Sequence, residues 1–422
     1  MNKTLKFFTV LVWVVLVACQ KESGFERKTA ESNGFTYEYV PDDPLNVRIY
    51  TLKNGLKVYL SQYNAEPRVQ TQIAVKAGGK NDPADNTGLA HYLEHIMFKG
   101  TADFGTLNWE KETLYLDSIE RMFTHYASLT DSIKRNDYYK LIDKVSNEAS
   151  KYAIANEYDK MVSEIGARGT NAYTTEDRTV YINDIPANQL ENWAQIEGNR
   201  FKKIVPRLFH TELEAVYEEK NRSLDNDYWK TYETLYKAIF PKHQYGTQTV
   251  IGTIDHLKNP SITAIKNYFN TYYRPNNVAI CLSGDLDYDK TIALIDKAFG
   301  DWQPTDQIKP WTPTEEAPIT EPIIKDVYGP DAEWVNLGFR FNGRNSDHYS
   351  LLRLTDMILA NSKAGLIDIN LKQQQKVLEP SSYVDNLNDY SIHTFTGRPR
   401  EGQRLEDVKD LLLEQINLLK KG

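Results

Sequence analysis

The sequence predicts an α+β fold, with helices packed on mainly antiparallel sheets. Short alternating segments flank the turn signal Asn54-Gly55 near the amino terminus. Segments of helical period, some of them long and charged, follow. Strand-like and helix-like segments then mix without a strict βαβ repeat, which argues against a parallel doubly wound sheet. A chain of 422 residues, 41% hydrophobic and 26% charged, is long enough for two or three domains with substantial cores. The net charge of -8 disfavours a nucleic-acid binder driven by phosphate contacts. Two cysteines, Cys19 and Cys281, rule out a disulfide framework and a four-cysteine zinc site.

The first residues read as an address. Lys3 and Lys6 precede an apolar stretch from Phe7 to Ala18. It is too short to span a bilayer of about 30 Å but suits a signal-peptide core. Leu16-Val17-Ala18-Cys19 resembles the lipobox of bacterial lipoproteins. That resemblance implies removal of residues 1–18, acylation of Cys19, and attachment to a membrane of the bacterial cell envelope on its periplasmic or outer surface. Residues 19–35 are expected to be a polar tether.

Thr36 to Val40, Val47 to Leu52, Leu56 to Leu60 and Thr71 to Lys76 read as strands, the last ended by Gly78-Gly79. A helix is predicted from about Thr87 to Phe98. Residues 102–163 suit two long amphipathic helices, Lys111 to Tyr126 and Tyr138 to Ser163. Strand character returns over Gly169 to Asn183. Helices follow at Ala187 to Lys202, announced by Pro186, and at Thr211 to Ser223. Ser261 to Tyr273 reads as a helix, Asn277 to Ser283 as an apolar strand, and Tyr288 to Phe299 as a helix. The six prolines between Asp301 and Pro330 mark a linker or extended arm. A strand from Glu333, a helix from Tyr349 to Ala360, strands near Tyr383 and Ser391, and a helix from Leu405 to Leu419 close the chain.

The chemistry concentrates in His91-Tyr92-Leu93-Glu94-His95. On a helix, residues four apart lie one turn apart on one face, with Cβ atoms about 6 Å apart. Two imidazoles so placed can share one ion, and Glu94 borders the same face. Zinc suits such donors, because it is redox-inert, accepts nitrogen and oxygen ligands and leaves a position for water. It would lower the pKa of that water toward about 7. Glu94 could then accept a proton as the water attacks a carbonyl, and return it to the leaving amine. A bare His-x-x-x-His pair is often only a pair of packed helix histidines; His-x-x-Glu-His after a strand and turn is a sharper signal. A third ligand should lie downstream. The segment from Thr211 to Lys220 offers Glu212, Glu214, Glu218 and Glu219. Glu212 and Glu219 share a face two turns apart, so one could ligate while the other braces a histidine. Spacing alone leaves the four open.

The run from His91 to Thr101 resembles the signature of the pitrilysin, or insulinase, family of zinc metallopeptidases, the inverzincins. The resemblance extends over about residues 46–422 and is sharpest in 79–252. It implies Zn²⁺ as cofactor, His91 and His95 as ligands and Glu94 as catalytic base. The later acidic pattern matches at Glu212, Val216 and Glu219, which implies Glu219 as third ligand and Glu212 as its supporting acid. Gly169 to Thr174 resembles the strand that pairs with substrate backbone, through Asn171 and the amide of Ala172. Pro241 to Gly246 resembles a later loop, and the family gives His243 no zinc role.

The family implies tandem homologous domains, here residues 36–257 bearing the zinc, with a helical insertion at about 102–163, and residues 258–422, expected to be truncated at the carboxyl end. The expected partners are a peptide substrate and either a missing carboxyl-terminal half or a partner subunit. Two features depart from the pattern. His95 and Glu219 stand 124 residues apart, longer than the usual spacing. No match is found for the arginine and tyrosine that an opposing half supplies. The expected function is a zinc-dependent endopeptidase acting on peptides or unfolded segments. The alternative is a catalytically incomplete peptide-binding or assembly subunit.

Overall fold

The computed structural model describes residues 26–422. The lipobox and Cys19 lie outside the described residues. An eight-stranded sheet dominates the first unit. Its strands are β1 (Lys28–Ser32), β2 (Phe35–Tyr39), β3 (Arg48–Thr51), β4 (Lys57–Gln62), β5 (Arg68–Val75), β6 (Arg168–Thr174), β7 (Thr179–Pro186) and β8 (Val278–Gly284). They lie in the order β1-β2-β3-β4-β8-β5-β7-β6. Every pair is antiparallel except β4 with β8, where Val58 faces Ile280. The fold class expected from the sequence is therefore present. Val58, Leu60, Val69, Ile73, Val75, Ile280 and Leu282 are fully or almost fully buried, so the alternation read from the sequence points one face of the sheet into the core.

Two boundaries differ from the sequence reading. Part of the expected tether pairs as β1 against β2, with Ala30 opposite Tyr37. Strand β8, assigned to the second domain by a cut at residue 257, lies in the middle of the first sheet, between β4 and β5. The chain must return after residue 257 because β4 and β5 do not pair with each other, and β8 supplies the ladder both need.

Helix α1 (Leu89–Ile96) follows β5 and runs into a 3₁₀ turn at Met97–Lys99. The charged segment folds as α2 (Trp109–Ser128), α3 (Ser132–Ser150) and α4 (Glu157–Glu164). The single helix expected over Tyr138 to Ser163 is thus two. The break carries Asn156 in the left-handed region at φ 60°, and Ile154 donates its N–H to Gly105 O at 2.9 Å. Ile119, Phe123, Ile142 and Ala149 join the main core. Phe123 packs edge-on against Phe209, the first residue of α6, at 5.1 Å between ring centres. The insertion is therefore built into the first unit.

Next come α5 (Leu190–Arg200), α6 (Phe209–Asp225) and α7 (Asp227–Ile239), then α8 (Ile262–Tyr272) and α9 (Tyr288–Phe299), which flank β8. No element was expected between Ser223 and Ser261. Helix α7 nonetheless has a legible start, since Asn226 accepts from the Trp229 N–H at 3.1 Å. Its aromatic residues, Trp229, Tyr232 and Tyr236, recur at helical spacing and touch one another. Residues 301–334 have no regular structure, as the prolines predicted.

The second unit is an antiparallel three-stranded sheet in the order β10 (Leu378–Asn386), β11 (Tyr390–Arg398), β9 (Val335–Asn342). Helices α10 (Tyr349–Leu359) and α11 (Leu405–Lys421) accompany it, around a core of Leu359, Ile367, Leu371, Val377, Phe395, Val408 and Leu412. Tyr236, Ile239, Phe240 and Tyr245 of the first unit pack with Leu387 and Ile392 of the second.

Candidate metal centre

The chain enters α1 through Gly88, whose φ of 91° is left-handed and whose missing Cβ would meet Ile251 O at 2.9 Å. Asp82 caps the helix, accepting from the Gly88 N–H at 2.7 Å and the Ala90 N–H at 2.9 Å. Burial pushes this carboxyl up to about 8, against the backbone donors of Ala90, Gly88 and Leu89, which favour the charge. Asp82→Ala should cost about 1–2 kcal/mol of stability through loss of the cap. Urea unfolding would register it, and an unchanged midpoint and slope would refute the capping role.

Leu89, Ala90, Leu93 and Ile96 anchor α1 in the core. His91 and His95 stand on its other side, their ring centres 4.8 Å apart and edge to face. Helix α6 lies against α1 and brings Glu219 to them. Glu219 Oε2 is 3.5 Å from His91 Nε2 and 3.7 Å from His95 Nε2. The three ligand atoms lie within 4.8 Å of one another, and they form the one such group among the described residues.

These side chains fit zinc. Ligands held at about 2.0–2.1 Å in a tetrahedron stand roughly 3.4 Å from each other, near the two distances to Glu219. Burial, with the His95 charge, drops the His91 pKa to about 3, so its imidazole is neutral and ready to coordinate. Among the described residues the buried His91 Nδ1 has no hydrogen-bond partner.

Glu212 stands one pair of turns before Glu219. Its Oε2 lies 3.5 Å from His95 Nδ1, and its Oε1 pairs with Lys99 Nζ at 2.7 Å. Burial works to raise the Glu212 carboxyl, but the partners His95 and Lys99 prevail and hold it below the ordinary carboxylate range. Burial likewise works to lower His95, and Glu212, Glu219 and Glu94 reverse the sign. Glu214 points elsewhere, its carboxylate 3.7 Å from His210 and 64% exposed. Glu218 faces solvent.

Glu94 is 8% exposed and accepts a hydrogen bond from Thr174 Oγ1 at 2.6 Å. Burial is the largest influence on its carboxyl and pushes it above the usual range; the Thr174 hydroxyl and His95 oppose this. The sequence marked the strand of Thr174, but not the hydroxyl aimed at Glu94. The centre opens on a cleft of about 670 Å³ lined by His91, Glu94, Ala172, Glu219, Trp229 and Tyr232, among others. Ala172 is on its wall, whereas the exposed Asn171 is not among the lining residues. Both sit on β6, the last strand of the sheet, which among the described residues pairs only with β7. His243 is fully buried away from this cluster, 3.3 Å from Asp389. No residue of the 102–163 insertion lines the cleft.

Fold and site together define a homologue of the M16, or insulinase, metallopeptidases. Residues 57–133 match the family profile "Insulinase (Peptidase family M16)" and residues 261–422 match "Peptidase M16 inactive domain". The second match begins inside the first unit, ahead of β8. In particular, the chain is similar to the zinc protease PqqE of Helicobacter pylori, 25% identical over 390 residues, 88% of this chain and 74% of that protein. It is 21% identical to an uncharacterized zinc protease, YmxG, of Bacillus subtilis, over 89% of this chain and 79% of that one. Among solved structures, a Helicobacter pylori protease superposes with a TM-score of 0.69 at 21% identity, covering 89% of this chain and 80% of that one. Pitrilysin superposes with 0.64 at 17% identity, over 94% of this chain but 38% of its own. Among the described residues no helix is long and apolar enough to cross a membrane.

Proposed function

We propose that the protein is a zinc-dependent endopeptidase acting on peptides or unfolded segments. One observation carries the proposal: two imidazoles from α1 and a carboxylate from α6 converge, with Glu94 on the wall of the same cleft. His91, His95 and Glu219 would hold the ion, and Glu212 would orient His95. Zinc bound there would polarise the scissile carbonyl and acidify water. Glu94 takes and returns the proton. Its burial raises its proton affinity toward that task, and Thr174 fixes Oε2, which leaves Oε1 to exchange the proton. The substrate lies extended along the free edge of β6, near Asn171 and Ala172, exchanging backbone hydrogen bonds with it. A lipid tether at Cys19 belongs to the same proposal and rests on the sequence alone.

The direct test joins zinc stoichiometry to a peptide-cleavage assay on the purified chain. Glu219→Ala should empty the site of zinc under dialysis conditions that leave Glu214→Ala loaded. Equal metal contents in the two variants would remove Glu219 as the ligand.

A further inference from the structure

We propose that Lys80 is a positioning residue, a buried cation that ties the cleft-lining β6–β7 hairpin to the second unit and so sets the geometry of the cleft. The inference rests on the endopeptidase reading for its kinetic consequence, but not for its structural one.

Lys80 lies between β5 and α1, two residues before the Asp82 cap. Its side chain is 7% exposed, and its ammonium pairs with Asp177 Oδ1 at 2.6 Å and with Asp389 Oδ2 at 2.9 Å. Asp177 sits in the turn of the β6–β7 hairpin, three residues past Thr174. Asp389 sits in the turn between β10 and β11. One cation thus joins the segment leading into α1, the hairpin beside Glu94, and the second unit.

The surrounding groups complete the junction. Trp311 Nε1 donates to Asp389 Oδ2 at 2.8 Å, and the indole ring lies 4.8 Å from the ammonium. Tyr245, on the cleft wall, donates its hydroxyl to Asp177 Oδ1 at 2.9 Å and accepts from the Asp389 N–H at 3.1 Å. The Asn388 N–H donates to Asp177 Oδ2 at 2.8 Å. His243 Nε2 faces Asp389 at 3.3 Å. Two carboxylates this close, both largely buried, need the ammonium between them. The backbone is as tightly drawn. Gly79 and Lys80 donate their N–H groups to Thr175 O and Glu176 O, and a Cβ on Gly78 would come within 2.1 Å of Thr175 O. Glu176, next in the hairpin, lines the cleft and accepts from the Tyr232 hydroxyl of α7 at 2.8 Å. Loss of the cation leaves Asp177 and Asp389 to repel each other, which drives the hairpin and the second unit apart.

The test uses the full chain with zinc bound. Lys80→Met should speed amide hydrogen exchange over residues 172–178 and at Asn388 and Asp389, with zinc stoichiometry unchanged. It should lower kcat/KM for an extended peptide by about tenfold to a hundredfold, as displaced substrate-positioning groups do. Lys80→Arg should restore both. Asp389→Asn, which keeps the side-chain shape, should show the same pattern more weakly, and it serves if Lys80→Met does not fold. Unchanged exchange over 172–178 in a folded variant would overturn the proposal, as would equal damage by Lys80→Arg. If the wild-type chain cleaves no peptide, the endopeptidase reading fails while the exchange measurement still decides the role of Lys80.

Discussion

Glu94→Gln is expected to lower peptide cleavage by about a hundredfold to ten-thousandfold, the usual worth of a positioned proton carrier, with zinc content unchanged. The amide has the shape of the carboxylate, and its carbonyl can still accept from Thr174 Oγ1. It cannot take a proton. His91, His95 and Glu219 keep their convergence, because Glu94 is not one of the three. Steady-state rates and metal analysis on the same samples separate the outcomes. A variant with wild-type turnover ends the role of Glu94 as base, and one that loses zinc shows that the carboxylate serves the ion.

Arg207→Met destabilises the chain by about 3–5 kcal/mol, the cost of leaving a buried charge without its partner. Arg207 and Glu112 are each 1% exposed and form a two-pronged pair, Nε to Oε1 at 2.6 Å and Nη2 to Oε2 at 2.9 Å. The guanidinium also donates to Lys99 O at 2.6 Å and Thr101 O at 2.8 Å. It therefore holds the insertion helix α2 to the segment that leaves α1, from which Lys99 reaches Glu212. Denaturant unfolding of wild type and variant measures the loss. A change of less than about 1 kcal/mol, the range of an exposed pair, would show that the insertion is only loosely attached. A second readout is zinc affinity, which should weaken as Lys99 and Glu212 lose their support.

Much of the architecture was legible in local pattern. Helix α9 begins at Tyr288 and ends at Phe299, the limits its periodicity gave, because its cap, Asp287, immediately precedes it and its apolar face lies within its own twelve residues. The strands around Asn54-Gly55 were legible for the same reason. The break at Asn156 was not, because it depends on Gly105, some 50 residues earlier. Helix α7 was missed although Asn226 and three spaced aromatic residues announced it. The place of β8 in the first sheet was not legible either, because it is set by the ladder that β4 and β5 both need.

At the site, His91, Glu94 and His95 were legible because helical spacing alone puts them on one turn. Glu219 was separable from Glu214 and Glu218 only through the family resemblance, since all four glutamates of α6 have the same chemistry. Thr174 and Lys80 gave no local signal.

By itself the sequence determined the short-range geometry: the helix that presents two imidazoles, the acidic helix downstream, the turns and the extended arm. Only the tertiary structure decided which hydroxyl holds Glu94 and how one lysine joins three segments. The physical reason is reach. Helix and strand periods are set by a few neighbouring residues, whereas burial and charge pairing are set by whichever distant segments the packed core brings together.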